Sequence, residues 1–338
     1  MTRVLTSRTA WCYIAGLAFM LLLPQIFQSR YSVSVMVLAG MFIIFALSYD
    51  LSVGHVGAVH LAAPAFFGLG AYVTGMLGVP LGLNFIPNLV LSAVVMAVIA
   101  VVVGIPSFRL SNVTFAIGTL AFAIACQQVV NSAVDITRGP LCIQNIPRPS
   151  LSLGGYTLKV TSTLHYYYLL VPLVLLTIVV YRAMTKSRIG RAFAAVRDDE
   201  VLASAGGVHP LRYKMLAFVV GAAIAGALGS FQAQYLTVIC PTELATDYTT
   251  RLLIIIFVGG VGSLPGLILG AVTFTVLPEL LRGLAKIEIT PVHQLLIFGV
   301  IMLLFIKFAP GGLADLLGKL GAALRRRFAA PGDGRGTT

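Results

Sequence analysis

Apolar residues run unbroken through most of this chain, in stretches parted by short polar intervals, and they do not alternate with polar ones. A helix crosses a bilayer with about 20 such residues, and the alternation that marks a membrane barrel strand is missing. The pattern predicts about ten membrane segments: 11–27, 31–50, 58–79, 84–106, 112–131, 165–184, 215–236, 249–258, 265–281 and 292–308. The first follows Arg3 and Arg8 like a signal peptide, but it lacks a small-x-small cleavage site and is read as a retained helix. Segment 249–258 is short for a full crossing, which keeps a re-entrant element open there. A tight Gly54-His55-Val56-Gly57 turn joins the second and third segments. The interval 134–164, rich in Gly, Pro and Ser, is expected to be an external loop, and residues 310–338 a cytoplasmic tail with a disordered end.

Composition narrows the class. The 338 residues are 58% hydrophobic and 10% charged, with a mean hydropathy of +0.97, whereas soluble domains carry about 25% charged residues. The expected fold class is an all-α polytopic helical membrane protein forming a single membrane domain. The net charge of +12 does not make a nucleic-acid binder, because the charges sit in short loops between segments. With both termini placed in the cytoplasm, sixteen of the 23 Lys and Arg fall inside and seven outside, as the positive-inside rule requires. Cys12 and Cys126 fall in apolar segments as small buried hydrophobes. Cys142 and Cys240 fall in outside loops, where two free thiols are expected in preference to a disulfide.

Small residues mark faces where helices approach closely: Ala222, Ala225, Gly226, Gly229 and Ser230 in one segment, and Gly262, Gly266 and Gly270 every four residues in another. Ionisable and amide groups at membrane depth are costly and therefore candidates for a solute pathway. Asp50 and His60 are two, and Gln127 with Gln128 are two more, each weighed against plain interhelical hydrogen bonding. Asp50 and His55 are expected at the cytoplasmic interface, solvated. Glu243 and Asp247 are expected in an external loop, meeting an external protein or water, and Tyr166-Tyr167-Tyr168 in an aromatic belt. The closest approach to a nucleotide-binding motif, Gly312 through Lys319, has its first Gly misplaced and Leu320 where Ser or Thr belongs. No cofactor or metal is expected on this chain.

The most charged interval is 186–214. Lys186, Arg188, Arg191, Arg197, Arg212 and Lys214 surround Asp198, Asp199 and Glu200. The absence of Gly and Pro between Arg191 and Ala205 predicts one short helix, stopped by Gly206-Gly207 and Pro210. Ala192, Ala195, Val196 and Ala203 form a narrow stripe suited to close docking, with Glu200 free to pair with basic residues at its rim. A loop that only orients the protein needs the positive charge but neither the acids nor the stripe, so the interval is read as a docking element on the cytoplasmic side.

GRAFAAVRDDEVLASAGGVHPLRYKMLAF, within this interval, resembles the cytoplasmic loop of permease subunits of branched-chain amino acid ABC importers, the LivM type. Gly190-Arg191-Ala192, Glu200, Ala203 and Gly207 carry the pattern, with Leu202 where the family has Ala. Residues 45–77 (FALSYDLSVGHVGAVHLAAPAFFGLGAYVTGML) and 257–282 (FVGGVGSLPGLILGAVTFTVLPELLR) are similar to further stretches of that family, in the same order. The resemblance implies an importer half: a permease that pairs with a homologous membrane subunit, two cytoplasmic ATPase subunits that use the ATP, and an external solute-binding protein, in the bacterial inner membrane. It makes Gly190, Arg191, Ala192, Glu200, Ala203 and Gly207 ATPase-coupling residues. Around the pathway this chain departs from the family: Asp50 stands for Asn, Ala58 for Gln, His60 for Ser, and Ala62-Ala63 for Gly-His. Branched-chain or other hydrophobic amino acids, or small amides and urea, therefore remain as cargo.

Two other classes fit the sequence less well. A carrier driven by an ion gradient needs an ion site on broken helices at the membrane midplane, for which Asp50 and His60 alone are available, and it needs no charged cytoplasmic helix. An intramembrane enzyme needs paired carboxylates, a Ser/Lys set or an HExxH at membrane depth, and the sequence has none.

Overall fold

The computed structural model describes residues 29–285 apart from 154, 155 and 161, and beyond them Pro24, Gly299, Val300, Leu303, Lys307, Gly312, Leu313 and Asp315. The expected segment 11–27, most of 292–308 and nearly all of the tail lie outside the described residues. The protein is an all-α membrane protein whose chain divides into two compact units, Met1–Leu252 and Leu253–Thr338.

The elements follow the apolar pattern closely. They are α1 (Arg30–Val53), α2 (Ala63–Val73) continued by a π turn (Thr74–Gly78), α3 (Phe85–Ser107), α4 (Asn112–Ser132), α5 (Thr163–Thr185), α6 (Arg188–Asp198), α7 (Glu200–Ala205), α8 (Pro210–Leu236), α9 (Asp247–Gly259) and α10 (Leu264–Ala285). Among the described residues α1, α3, α4, α5 and α8 are long and apolar enough to cross a membrane.

Helix α8 is the hub of the first unit and packs on α1, α2 and α3, while α5 lies along α1. Its small residues explain the position. A side chain at Gly226 would run into Met96 and the Ser92 carbonyl, one at Gly229 into the Phe67 carbonyl, and one at Gly221 would stand 2.6 Å from the Ser48 carbonyl oxygen. Lipid tails are as apolar as Leu, so helices associate in a membrane through such close packing and through hydrogen bonds. The bonds are present: Thr74 Oγ1 donates to Ser230 Oγ at 2.7 Å, and Ser92 Oγ to the Gly70 carbonyl at 3.0 Å. By contrast α3 is strongly apolar, yet of its 23 residues only Phe85, Asn88, Ser92, Met96, Ala100 and Gly104 are buried. It exposes Val90, Val94, Val98 and Val102, a stripe at helical spacing that suits hydrocarbon.

The expected segment 58–79 is not one continuous helix. Residues 54–62 are irregular, with Gly57 at φ +78°, and α2 begins only at Ala63. Irregular backbone survives at membrane depth only where protein satisfies it. Here Leu61 N–H donates to Thr119 Oγ1 at 2.9 Å, Tyr49 Oη donates to the His60 carbonyl at 2.6 Å, and Thr249 Oγ1 to the Leu61 carbonyl at 3.4 Å.

The interval 134–164 is built, not loose. A helical turn (Val134–Thr137) leads to β1 (Ile143–Gln144), and β2 (Ser150–Leu153) pairs antiparallel with β3 (Tyr156–Lys159). Strand β1 pairs antiparallel with β4 (Val238–Ile239), Ile143 facing Ile239. Beside that pair Cys142 and Cys240 form a disulfide, which overturns the expectation of two free thiols. The strand pairing holds together two cysteines 98 residues apart in sequence, and no local spacing signals that. The aromatic-belt reading also fails for Tyr166 and Tyr167, which are buried. The Tyr166 hydroxyl donates inward to the Gln234 carbonyl at 3.0 Å.

In the second unit Gly270 lies against the Ile255 carbonyl, Gly266 against Gly259, and Gly262 takes φ +74°. Ile254 and Val258 pack there with Phe274, Leu277 and Leu313.

Candidate functional site

The charged interval forms two helices, α6 and α7, instead of the single helix expected. Asp199 breaks the run: its backbone is extended, and its carboxylate accepts the N–H groups of Val201 and Leu202 at 2.8 and 2.9 Å, an N-cap. Glycines close α7. Gly207 adopts φ +81°, where a side chain is strained, and Val208 N–H bonds back to the Ala203 carbonyl at 2.9 Å. Glu200 pairs with Lys214 of α8, which is itself buried.

Packing decides which face of this element is available. Gly190, Ala192, Phe193, Val196 and Ala203 are buried within the chain, and a side chain at Gly190 would strike the Thr185 backbone. The small-residue stripe, expected to suit docking, instead fastens the loop to its own membrane body, with Ala195 only half-buried. The outer face carries Arg191 and Ala194, and beyond them Val201 and Leu202, 80% and 72% exposed. Two branched aliphatic side chains this bare, on an otherwise charged helix pair, form the apolar centre of an open surface.

The same loop is tied to the helices beneath it. The Arg197 guanidinium donates to the Gly54 carbonyl, and a side chain at Gly57 would touch Arg197 Cγ at 3.3 Å. Next to this turn Tyr181 Oη of α5 donates to Asp50 Oδ2 at 2.6 Å, and His55 Nε2 lies 2.8 Å from the same hydroxyl. Asp50 is fully buried and closes over Gly54, so the solvated interface expected for it is replaced by a knot between α1, α5 and the turn. Burial, then the charges of Arg197 and Lys186, lower the His55 pKa from 6.5 to about 4. His55 is thus neutral at pH 7. Its 3.7 Å approach to Asp50 is then no ion pair, and its ring N–H serves the Tyr181 oxygen while that hydroxyl serves Asp50.

The opposite end holds a second polar cluster. A cavity of about 160 Å³ lies between α1, α2 and α8, walled by Leu38, Met41, Phe42, Phe45 and Leu228, with Gln232, Tyr248 and Arg251 on its lining. Behind it Gln232 Nε2 donates to Glu243 Oε2 at 2.5 Å. Glu243, on a short 3-10 turn (Pro241–Leu244), is 8% exposed, so it is neither solvated nor on an outward loop surface. Burial raises its pKa from 4.5 to about 7, against a smaller opposing effect of the Gln232 hydrogen bond. Asp247 is exposed.

The four expected pathway residues do not meet. Asp50 belongs to the knot. His60 is buried between the rings of Tyr49 and Phe218, each centred 4.9 Å away. Gln127 is half-buried and Gln128 exposed on α4, the latter bonded to Ser132 at 3.4 Å. The cluster that does form, Gln232 with Glu243 beside Tyr248 and Arg251, was not singled out from the sequence, although an Arg inside an apolar helix and a Gln in a Gly/Ala-rich one were visible signals. Among the described residues no group of three or more His, Cys, Asp and Glu side chains is placed to hold a metal ion.

Comparison with known proteins bears on this arrangement. No solved structure matches the chain. The high-affinity branched-chain amino acid transport system permease protein LivM of Salmonella typhimurium is 29% identical over 307 residues, covering 85% of this chain and 71% of that protein. The LivH permease protein of the same system in Escherichia coli is 24% identical over 270 residues, covering 75% and 83%. A probable LivM permease of Methanocaldococcus jannaschii is 23% identical over 238 residues, covering 67% and 68%. A family model described as branched-chain amino acid transport system, permease component, matches residues 31–306. The match takes in the knot, the charged loop and the cavity together, and the chain belongs to the family of branched-chain amino acid transport permease components.

Proposed function

We propose that this chain is the membrane-spanning subunit of an ATP-binding-cassette importer. It moves branched-chain or other hydrophobic amino acids, or related small amides, on energy released in separate subunits. The observation that carries the reading is the two-faced loop 186–214, fastened inward by Ala192, Phe193, Val196 and Ala203 and bare outward at Val201 and Leu202. An importer needs both faces: one to seat on an ATPase, the other to pass the displacement on. The bond from Arg197 to Gly54 and the Asp50–Tyr181–His55 knot give a continuous mechanical route from the loop to α1, α5 and the irregular turn before α2. In this reading the loop and both termini are cytoplasmic, about ten segments cross the inner membrane, and the disulfide end faces outside, where thiols oxidise. The relatives named LivM and LivH belong to one transport system. By analogy this chain works beside a homologous permease, two ATPase subunits and an external solute-binding protein. ATP is bound by the partners.

The test is substitution of the bare pair. With both Val201→Asp and Leu202→Asp, the chain should still fold, because neither side chain packs within it, while co-purification of the ATPase subunits and ATP-driven uptake in proteoliposomes both fall at least about tenfold, as for loss of an interface anchor. Uptake by the chain alone along an ion gradient, untouched by these substitutions, would refute the reading.

A further inference from the structure

We propose that the cavity at the disulfide end is a transit site for the transported solute, an amino acid with a compact branched side chain whose carboxylate is held by Arg251. This rests on the importer reading above and adds to it a place and a chemistry.

The first observation is size and lining. At about 160 Å³, the cavity is comparable to the roughly 150 Å³ apolar cavity that takes up benzene in an engineered protein. An isobutyl or sec-butyl group fits that space, and Leu38, Met41, Phe42, Phe45 and Leu228 offer it only carbon and sulfur.

The second is unspent charge. The Arg251 guanidinium stands over the Tyr248 ring at 5.6 Å and has no carboxylate partner among the described residues. A planar fork of N–H donors in a largely apolar surround is built for a carboxylate, which it meets with two parallel bonds. The third is a matched acceptor. Gln232 turns its amide nitrogen to Glu243 and also shares a side-chain hydrogen bond with Tyr248; its carbonyl oxygen is the acceptor it can offer an ammonium group, with the Glu243 carboxyl behind it. Cation, acceptor and apolar wall on one small cavity are the three contacts that define a zwitterionic aliphatic amino acid. An amide or urea would leave Arg251 without its anion.

A transit site must release its ligand, so the contacts are few and one wall is open: Leu38 and Leu236 are each 45% exposed. A phospholipid, with an anionic head and an acyl chain, is the competing occupant.

The experiment uses the chain assembled with its partner subunits in nanodiscs, carrying a fluorescent reporter at the rim (Leu236→Trp in a Trp11→Phe background). L-leucine should shift the emission. Isoamylamine, which lacks the carboxylate, should not. Arg251→Gln should raise the half-saturating leucine concentration at least about tenfold, the effect of losing a hydrogen bond to a charged group, and Arg251→Lys should recover part of the loss. In proteoliposomes Arg251→Gln should cut leucine uptake by a similar factor while ATPase activity stimulated by the loaded binding protein persists. If the unmodified complex takes up no amino acid, the importer reading itself falls. If it takes up leucine normally and both Arg251 variants do so too, only the transit site falls. A reporter that responds to anionic lipid content and never to leucine assigns the cavity to lipid and overturns the proposal.

Discussion

The two ends of the first unit are built on opposite terms. At the loop end the charged and ring groups bond to neighbours within the protein: Arg197 to the Gly54 carbonyl, Tyr181 to Asp50, His55 to Tyr181, Glu200 to Lys214. At the disulfide end, Gln232 and Glu243 bond each other, while Arg251 keeps its charge beside an apolar cavity. On the function proposed above, the difference separates two tasks. A region that transmits movement has to be stiff, and satisfied polar contacts between helices stiffen it. A region that admits a solute has to hold polar atoms in reserve, and a covalent clasp supplies the rigidity its unspent contacts do not.

The largest expected effect breaks the clasp. Replacing Cys142 and Cys240 by Ser frees a 98-residue separation, worth about 4.7 kcal/mol by loop-closure entropy. Thermal unfolding in detergent should drop by many degrees, and reductant should lower the melting temperature of the parent protein to the same value and leave the variant unchanged.

The next effect sharpens the contrast through pH. The Glu243 pKa is raised by burial from 4.5 to about 7, so between those values the folded state holds a proton that the unfolded state releases. Its contribution to stability is full below about pH 4.5, is lost as pH rises to about 7, and is flat above. The loss reaches up to about 3 kcal/mol. His55, lowered from 6.5 to about 4, runs the other way: stability rises with pH across that window, because the unfolded state binds the proton there. Glu243→Gln should raise the melting temperature at pH 8 and leave it nearly unchanged at pH 4. His55→Gln should flatten the acid limb alone. Equal pH profiles for the two variants would erase the contrast between the ends.

The smallest effect tests the knot. Tyr181→Phe removes a hydroxyl that serves both Asp50 and His55 and should cost about 2 kcal/mol, as for a hydrogen bond to a charged group. It should also slow ATP-driven uptake without weakening ATPase co-purification, since the bare face at Val201 and Leu202 is untouched. A double-mutant cycle with Arg197→Ala measures whether loop and knot are coupled, and strictly additive losses would show that they are not.

Much of the architecture was legible without coordinates. The five long helices lie within a few residues of the apolar stretches, because hydropathy and the roughly 20-residue length of a crossing are properties of the local chain. The stop at Gly206-Gly207 was legible too, since a residue at φ +81° favours glycine. Two local signals carry more than charge and hydropathy show. Asp199 is one acid of three in the charge pattern, but an Asp just before Glu-Val-Leu is also an N-cap that starts a new helix. The segment 58–79 starts directly after the Gly54–Gly57 turn, whereas the helix begins only at Ala63, where Pro64 in its first turn marks the true start.

What the sequence determined alone is therefore the list of membrane helices, the charged loop and the small-residue faces, all set by interactions within a few residues of one another. The tertiary structure decided the rest. It turned Ala192 and Ala203 inward and left Val201 and Leu202 bare, because packing on the membrane body selects one face of a helix whose pattern permits two. It joined Cys142 to Cys240 through the β1–β4 pair, and it brought Gln232 beside Glu243, 11 residues further along, around the turn at Cys240. The pathway residues expected from polarity alone, Asp50, His60, Gln127 and Gln128, were dispersed for the same reason. Polarity marks a costly group, but only the helices packed around it decide whether it is spent on a neighbour or kept for a ligand.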